Sequence, residues 1–220
     1  MNELLFENAK VFDGFSETLR EVKTLVVKNN RIDAILDRYI ESTDAIRFDC
    51  RGKVLMPGLI DAHVHANTPT YSFYNNDRMP SSLLANHAAS ILEGMLNRGF
   101  TTVRDAGGGD RGLHQAIEEG LINGPRFFYA GKAISQTGGH GDMRPGDKVE
   151  LCQCGQYSGS ISKVADGVDE VRKAVREELR QGAHQIKIFV SGGVSSPTDP
   201  IWMPQYTEEE IRAAVYEAST

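Results

Sequence analysis

The chain has 220 residues, of which 40% are hydrophobic and 25% charged, and its formal net charge is −6. That length suffices for one good core, or for a small domain beside part of a larger one. The acidic balance and the lack of a long basic run argue against a nucleic-acid partner, and no apolar stretch approaches the ~18 residues that span a bilayer.

The start, Met1-Asn2-Glu3-Leu4-Leu5-Phe6-Glu7, has no basic region followed by an apolar one, so no signal peptide is expected. The cysteines are Cys50, Cys152 and Cys154, an odd number that does not form a disulfide framework. A reducing cytoplasm is the expected setting. Cys152-Gln153-Cys154 has no second Cys/His pair near it and reads as loop thiols without an assigned role.

Along residues 1–53, short apolar segments alternate with turn signals. Leu4-Leu5-Phe6 and Lys10-Val11-Phe12 are split by Asn8, and Asp13-Gly14 is a turn dipeptide. Thr24-Leu25-Val26-Val27-Lys28, the turn Asn29-Asn30 and Arg31-Ile32-Asp33-Ala34-Ile35 form a hairpin pattern. A small β-domain is expected here. From residue 54 to 220 the pattern becomes strand, loop, helix, strand. Val54–Ile60 leads into a first strand, and a helix is predicted over residues 82–97 from Leu84, Ala88, Ile91, Leu92, Met95 and Leu96, ended by Gly99. Phe100–Arg104 is the second strand, residues 112–119 a short helix, and Arg126–Ala130 the third strand after the Gly124-Pro125 break. Residues 135–165 form a long loop. Asp166 is placed as the N-cap of a helix whose apolar face is Val168, Val171, Val175 and Leu179. Gln185–Val190 is the fourth strand, and Thr207 with Glu210 makes a capping box for a last helix with Ile211 and Val215 apolar. Strands alternating with helices imply a parallel sheet with right-handed crossovers.

The strongest chemical signal is Asp61-Ala62-His63-Val64-His65 after Pro57-Gly58-Leu59-Ile60. Residues i and i+2 of a strand share a side, so His63 and His65 present two imidazoles together, which suits a divalent metal such as Zn²⁺. Asp61 points the same way, placed to orient an imidazole from behind.

The run Val54–His65 resembles the first-strand motif of the amidohydrolase superfamily. Thr101-Thr102-Val103-Arg104-Asp105 and Ile186-Lys187-Ile188 before Ser191-Gly192-Gly193-Val194 also match it in order and spacing. The similarity is greatest to the imidazolonepropionase-related branch, which includes Xaa-Pro dipeptidases (prolidases). The resemblance implies an α/β fold: a (β/α)₈ TIM barrel of the metal-dependent hydrolase type, with a small N-terminal β-sandwich over residues 1–53. Residues 54–220 would then be the first four β/α units. It further implies hydrolysis of a C–N bond in a dipeptide or N-acyl amino acid by a metal-activated hydroxide, with one or two divalent ions, Zn²⁺ first among them. The family places further metal-ligand histidines after strands five and six and an aspartate after strand eight. The expectation is therefore an N-terminal half that is inactive and poorly soluble alone. The rival readings are a degenerate half-barrel that binds without turnover and a lyase that uses Lys187 as a Schiff base. The partner expected is a small-molecule substrate, with no nucleic acid and no membrane; a homo-oligomer is left open.

Lys187 sits mid-strand between apolar residues, where burial disfavours the ammonium. A neutral amine reacts with CO₂ to give a carbamate, and the family uses a fourth-strand lysine in this way as a metal ligand. A buried stem with a solvated head, or a Schiff base, are the alternatives. His140, in Gly138-Gly139-His140-Gly141, lies where loops build barrel sites, and the resemblance gives it contact with substrate or with the developing oxyanion. Asp105 is read as a residue at the barrel mouth that supports the site; Arg104 is unassigned. His87 is expected at the edge of a helix face, His114 on an exposed helix, and His184 at the barrel bottom. Gly107-Gly108-Gly109 lacks the lysine and spacing of a phosphate loop.

Overall fold

The computed structural model describes residues 3–144, 160–196 and 198–220, so Cys152, Cys154 and the middle of the expected long loop lie outside the described residues. The chain divides into two compact units, Met1–Gly58 and Leu59–Thr220. The division falls five residues later than residue 53, because Val54–Leu55 pairs in parallel with Lys10–Val11 inside the first unit.

The first unit holds β1 (Leu4–Glu7), β2 (Lys10–Val11), β3 (Arg20–Glu21), β4 (Thr24–Lys28), β5 (Arg31–Leu36), β6 (Ile46–Asp49) and β7 (Val54–Leu55). One sheet runs β5-β4-β1-β6 and the other β3-β2-β7. The β4–β5 hairpin turns on Asn29 and Asn30, at φ 50° and 58°. Asparagine is among the few side chains that tolerate this left-handed region, which a tight hairpin turn requires. Leu5, Leu25 and Val26 are buried, and Ala9, Val22 and Cys50 form a second apolar cluster. Neither β3 nor β6 was expected. Both are exposed along their whole length, so they carry no burial alternation and are held by backbone pairing.

The second unit is mixed α/β. Its parallel sheet, in the order β10-β9-β8, joins β8 (Leu59–Val64), β9 (Phe100–Asp105) and β10 (Arg126–Tyr129). Between these strands lie α1 (Phe73–Asp77), α2 (Ser81–Asn97) and α3 (Arg111–Glu118). The α2 face buries Ala88 and Leu92 in a cluster with Val64, Val103, Leu113, Phe127 and Tyr129. A second parallel pair joins β11 (Ala133–Ser135) and β12 (Ser162–Val164), and β12 stands within the stretch expected to be a loop. The pair packs with α4 (Gly167–Arg180) and α5 (Glu208–Ala218) around Ile134, Ala165, Val171, Val175 and Ala214.

Several expectations are corrected. Gln185–Val190 forms no ladder; it is an isolated parallel bridge between Ile188 and Ile134. Backbone hydrogen bonds from Ile134 N to Lys187 O (2.8 Å) and from Phe189 N to Ile134 O (3.0 Å) hold it. Asp166 occupies the N-cap of α4 but caps nothing, because its carboxylate accepts Thr137 N and Thr137 Oγ1 instead. On α4 the buried face is Val171, Ala174, Val175 and Glu178, with Leu179 exposed; on α5 it is Ala213, Ala214 and Glu217, with Val215 exposed. The Thr207–Glu210 capping box is formed. His114 is half-buried rather than exposed: its Nδ1 lies 2.9 Å from Phe127 O and its ring packs edge-on against His184.

Leu92 is wholly buried at the centre of the larger cluster. Leu92→Ala should lower stability by about 2–5 kcal/mol, the range for a buried leucine truncated to alanine. A fall in the guanidinium unfolding midpoint at unchanged slope checks this.

Candidate active site

His63 is the last residue but one of β8, and His65 follows the strand. The β8–β9 register is irregular between Asp61 and Val64, so the chain bends where the imidazoles begin. Their ring centroids lie 5.2 Å apart, at 70° to each other. His65 Nδ1 lies 2.9 Å from Gly107 O. A carbonyl oxygen only accepts, so Nδ1 carries the proton and Nε2 keeps its lone pair. A ring fixed in this way by a backbone carbonyl is the usual arrangement behind a metal-ligating histidine. Partial burial, then Lys187, His65 and Arg104, push the His63 pKa down, towards the neutral form that ligates metals.

Asp61 does not reach an imidazole among the described contacts; its Oδ1 accepts the backbone N–H of His63 at 3.1 Å. Asp105 is fully buried at the end of β9. Its Oδ2 accepts Ala66 N at 2.7 Å, and its Oδ1 accepts Gly107 N and Gly109 N at 2.9 Å each. Burial pushes its carboxyl up, against the pull of these three donors. A Cβ on Gly109 would stand 2.7 Å from Asp105 Cγ, so only glycine lets this backbone close over the carboxylate. The Gly107–Gly109 stretch thus cradles a carboxylate of its own chain.

Lys187 is half-buried, and burial followed by Arg104 pushes its pKa down. Its Nζ lies 5.1 Å from the centroid of the Phe189 ring. The same ring meets the second group of site residues, since His140 packs edge-on against Phe189 at 5.0 Å. Ser196 Oγ is 2.7 Å from His140 Nδ1, and His140 N donates to Gln205 Oε1 at 3.0 Å. Arg104 Nε donates to Ala62 O at 2.8 Å, which ties the ends of β8 and β9 together. Sequence reasoning missed Ser196, Asp199 and Gln205. They lie on irregular backbone, where no periodicity marks them.

The imidazoles of His63 and His65 are of the donor type that suits a divalent ion, and the charge of Lys187 acts on His63. Among the described residues, no group of three or more His, Cys, Asp or Glu side chains comes together to hold a metal. No helix among the described residues is long and apolar enough to cross a membrane.

The amidohydrolase family model matches residues 54–220. A prolidase crystallised with N-methylphosphonate-L-proline is 49% identical, with a TM-score of 0.92 over 99% of this chain and 54% of its own. A Xaa-Pro dipeptidase with bound methionine in its active site is 33% identical, with a TM-score of 0.84 over 99% of this chain and 54% of its own. The ochratoxinase of Aspergillus niger is 36% identical over 197 residues, which is 83% of this chain and 40% of that protein. The chain therefore spans about half the length of the proteins it matches.

Asp105→Ala would leave three backbone donors without an acceptor. At about 1–3 kcal/mol for each orphaned buried donor, a loss of about 3 kcal/mol or more is expected. Asp105→Asn, which keeps one acceptor oxygen, should lose less. Urea unfolding of the two variants measures the difference.

Proposed function

This chain belongs to the amidohydrolase family, and from that premise we propose that it supplies part of the active site of a metal-dependent hydrolase cleaving the C–N bond of an amide. The substrate class is a dipeptide or N-acyl amino acid. Xaa-Pro dipeptides come first, because two of the similar structures are described as a prolidase and a Xaa-Pro dipeptidase. The observation that carries the reading is the imidazole pair: His65 fixed through Nδ1 by the Gly107 carbonyl, with the His63 ring 5.2 Å away. The parallel sheet reads as the first part of a (β/α)₈ barrel, with the small β unit as its sandwich domain. A cytoplasmic setting goes with this reading.

A divalent ion held by His63 and His65, Zn²⁺ above others for imidazole ligands, would polarise the scissile carbonyl and lower the pKa of a water molecule. The residues around it have separate tasks. Asp105 and Gly107 hold the His65 ring, and Asp61 holds the backbone of His63. His140, whose ring packs edge-on against Phe189, contacts the substrate. Lys187, as an ammonium, would repel a dication in a site shielded from water. Its Nζ, once neutral, adds CO₂ and releases one proton, giving a carbamate whose oxygens attract the ion instead. Burial beside Arg104, which disfavours the ammonium, supports that modification.

Protein carrying the whole open reading frame should contain one or two divalent ions per subunit and hydrolyse members of a dipeptide library. Metal-loaded, well-folded protein that is inactive on every amide, ester and lactone would leave a binding protein without turnover. Lys187→Ala should lose both metal and activity, and added short carboxylic acids should partly restore them. An unmodified amine at Lys187 in a structure with both ions bound would overturn the carbamate, and borohydride trapping of substrate on Lys187 would replace it with a Schiff base. Residues 1–220 alone, offering two imidazoles and one lysine, should show no hydrolysis.

A further inference from the structure

The surroundings of His140 contain a group that none of the preceding argument uses. Asp199 has a fully buried side chain. Its Oδ2 accepts Gly193 N at 3.1 Å and Gln205 Nε2 at 2.9 Å, and lies 3.5 Å from His140 Nδ1. Its Oδ1 is buried and has no hydrogen-bond partner among the described residues. A buried carboxylate with one oxygen left bare is costly unless positive charge or a proton lies close by. The His140 ring lies beside the other oxygen of this carboxylate, with Nδ1 3.5 Å from Oδ2. Gly193 constrains the ring as well: a Cβ there would come within 2.0 Å of His140 Cε1, so the ring occupies space that only glycine leaves.

We propose that Asp199 is the positioning residue of His140: it holds the imidazole proton on Nδ1 and so leaves Nε2 as the nitrogen that meets the substrate. Two features support the choice of nitrogen. Oδ2 already receives two N–H donors, so it acts as an acceptor and faces Nδ1 as one. Ser196 Oγ, 2.7 Å from Nδ1, can either accept or donate, so it does not choose the tautomer by itself. The carboxylate does, because its charge stabilises a proton on the near nitrogen. Gln205 completes the frame, binding Asp199 through Nε2 and the His140 backbone N–H through Oε1. Ring, carboxylate and loop are thereby locked to one another.

For its kinetic consequence this inference rests on the hydrolase reading, but its structural content can be tested without turnover. The experiment uses whole-frame protein labelled with ¹⁵N in histidine, with the His140 signals assigned by their loss in His140→Ala. Wild-type protein should show a protonated Nδ1. Asp199→Asn keeps the oxygen that receives Gly193 and Gln205 and removes the charge, so the fold survives while the proton shifts towards Nε2. Ser196→Ala should leave Nδ1 protonated. On a substrate of the enzyme, Asp199→Asn should lower kcat by roughly 10- to 100-fold with little change in KM. In a His140→Ala background the same change should cost nothing further. An Nε2-protonated wild type, a ¹⁵N pattern unmoved by Asp199→Asn, or an equal kcat loss in both backgrounds would overturn the proposal. If the protein hydrolyses nothing, the hydrolase reading falls, and the ¹⁵N pattern still decides the role of Asp199.

Discussion

Three backbone N–H groups converge on one buried carboxylate, and the geometry of the imidazole pair follows from that convergence. Asp105 ends β9, Ala66 follows the end of β8, and Gly107 and Gly109 begin the return of the chain towards α3. Hydrogen bonds to a charged group contribute about 1.5–3 kcal/mol each, against a desolvation cost that a single bond would not offset. With all three formed, the two strand ends cannot separate. Gly107 passes the constraint on, since the residue whose N–H binds Asp105 presents its carbonyl to His65. One aspartate therefore sets the position of a ring that it does not touch.

The charge around His63 is mainly cationic, with Asp61 acting the other way. Lys187 and Arg104 both act on it, and Arg104 also acts on Lys187. Packed together, cationic groups favour their neutral forms, and the one that cannot become neutral is the guanidinium. Burial is the first cause of the downward shift in both His63 and Lys187, and the fixed charge of Arg104 adds to it. Burial and neighbouring cationic charge thus push the strand-end histidine and the lysine the same way, towards their neutral forms.

Much of this was legible in the sequence because the signals were local. Asn29-Asn30 specified the hairpin, Thr207 with Glu210 the start of α5, and His63-x-His65 the imidazole pair. What stayed hidden depends on long-range contacts. Asp166 looks like an N-cap on local chemistry, yet Thr137, twenty-nine residues away, supplies two better donors to its carboxylate. Gly107-Gly108-Gly109 gave no sign that its task is to approach Asp105 and His65. Asp199 and Gln205 sit on irregular backbone, and what makes them matter is a ring sixty residues earlier in the chain. Glu178 and Glu217 were missed as buried helix residues because each is neutralised by a partner, Lys163 and Arg176, that periodicity does not reveal.

The segment Gln185–Val190 shows how a strand pattern survives where the ladder does not. Its alternation is intact: Ile186 and Ile188 pack against the cluster beneath α4, while Lys187 and Phe189 share the other side and meet at the site. Ile134 binds it as a strand would, donating to Lys187 O and accepting from Phe189 N, and Val190 O accepts Gln205 N at its far end. Period-2 burial, rather than a row of hydrogen bonds, thus decides which way Lys187 faces. A slip of one residue would bury the lysine among Val171, Val175 and Ala214 and turn an isoleucine towards the histidines, at the full cost of an unpaired charge in an apolar cluster. The register is therefore fixed by the same apolar core that stabilises α4 and α5, and the chemistry of the site rests on packing that contains no catalytic group.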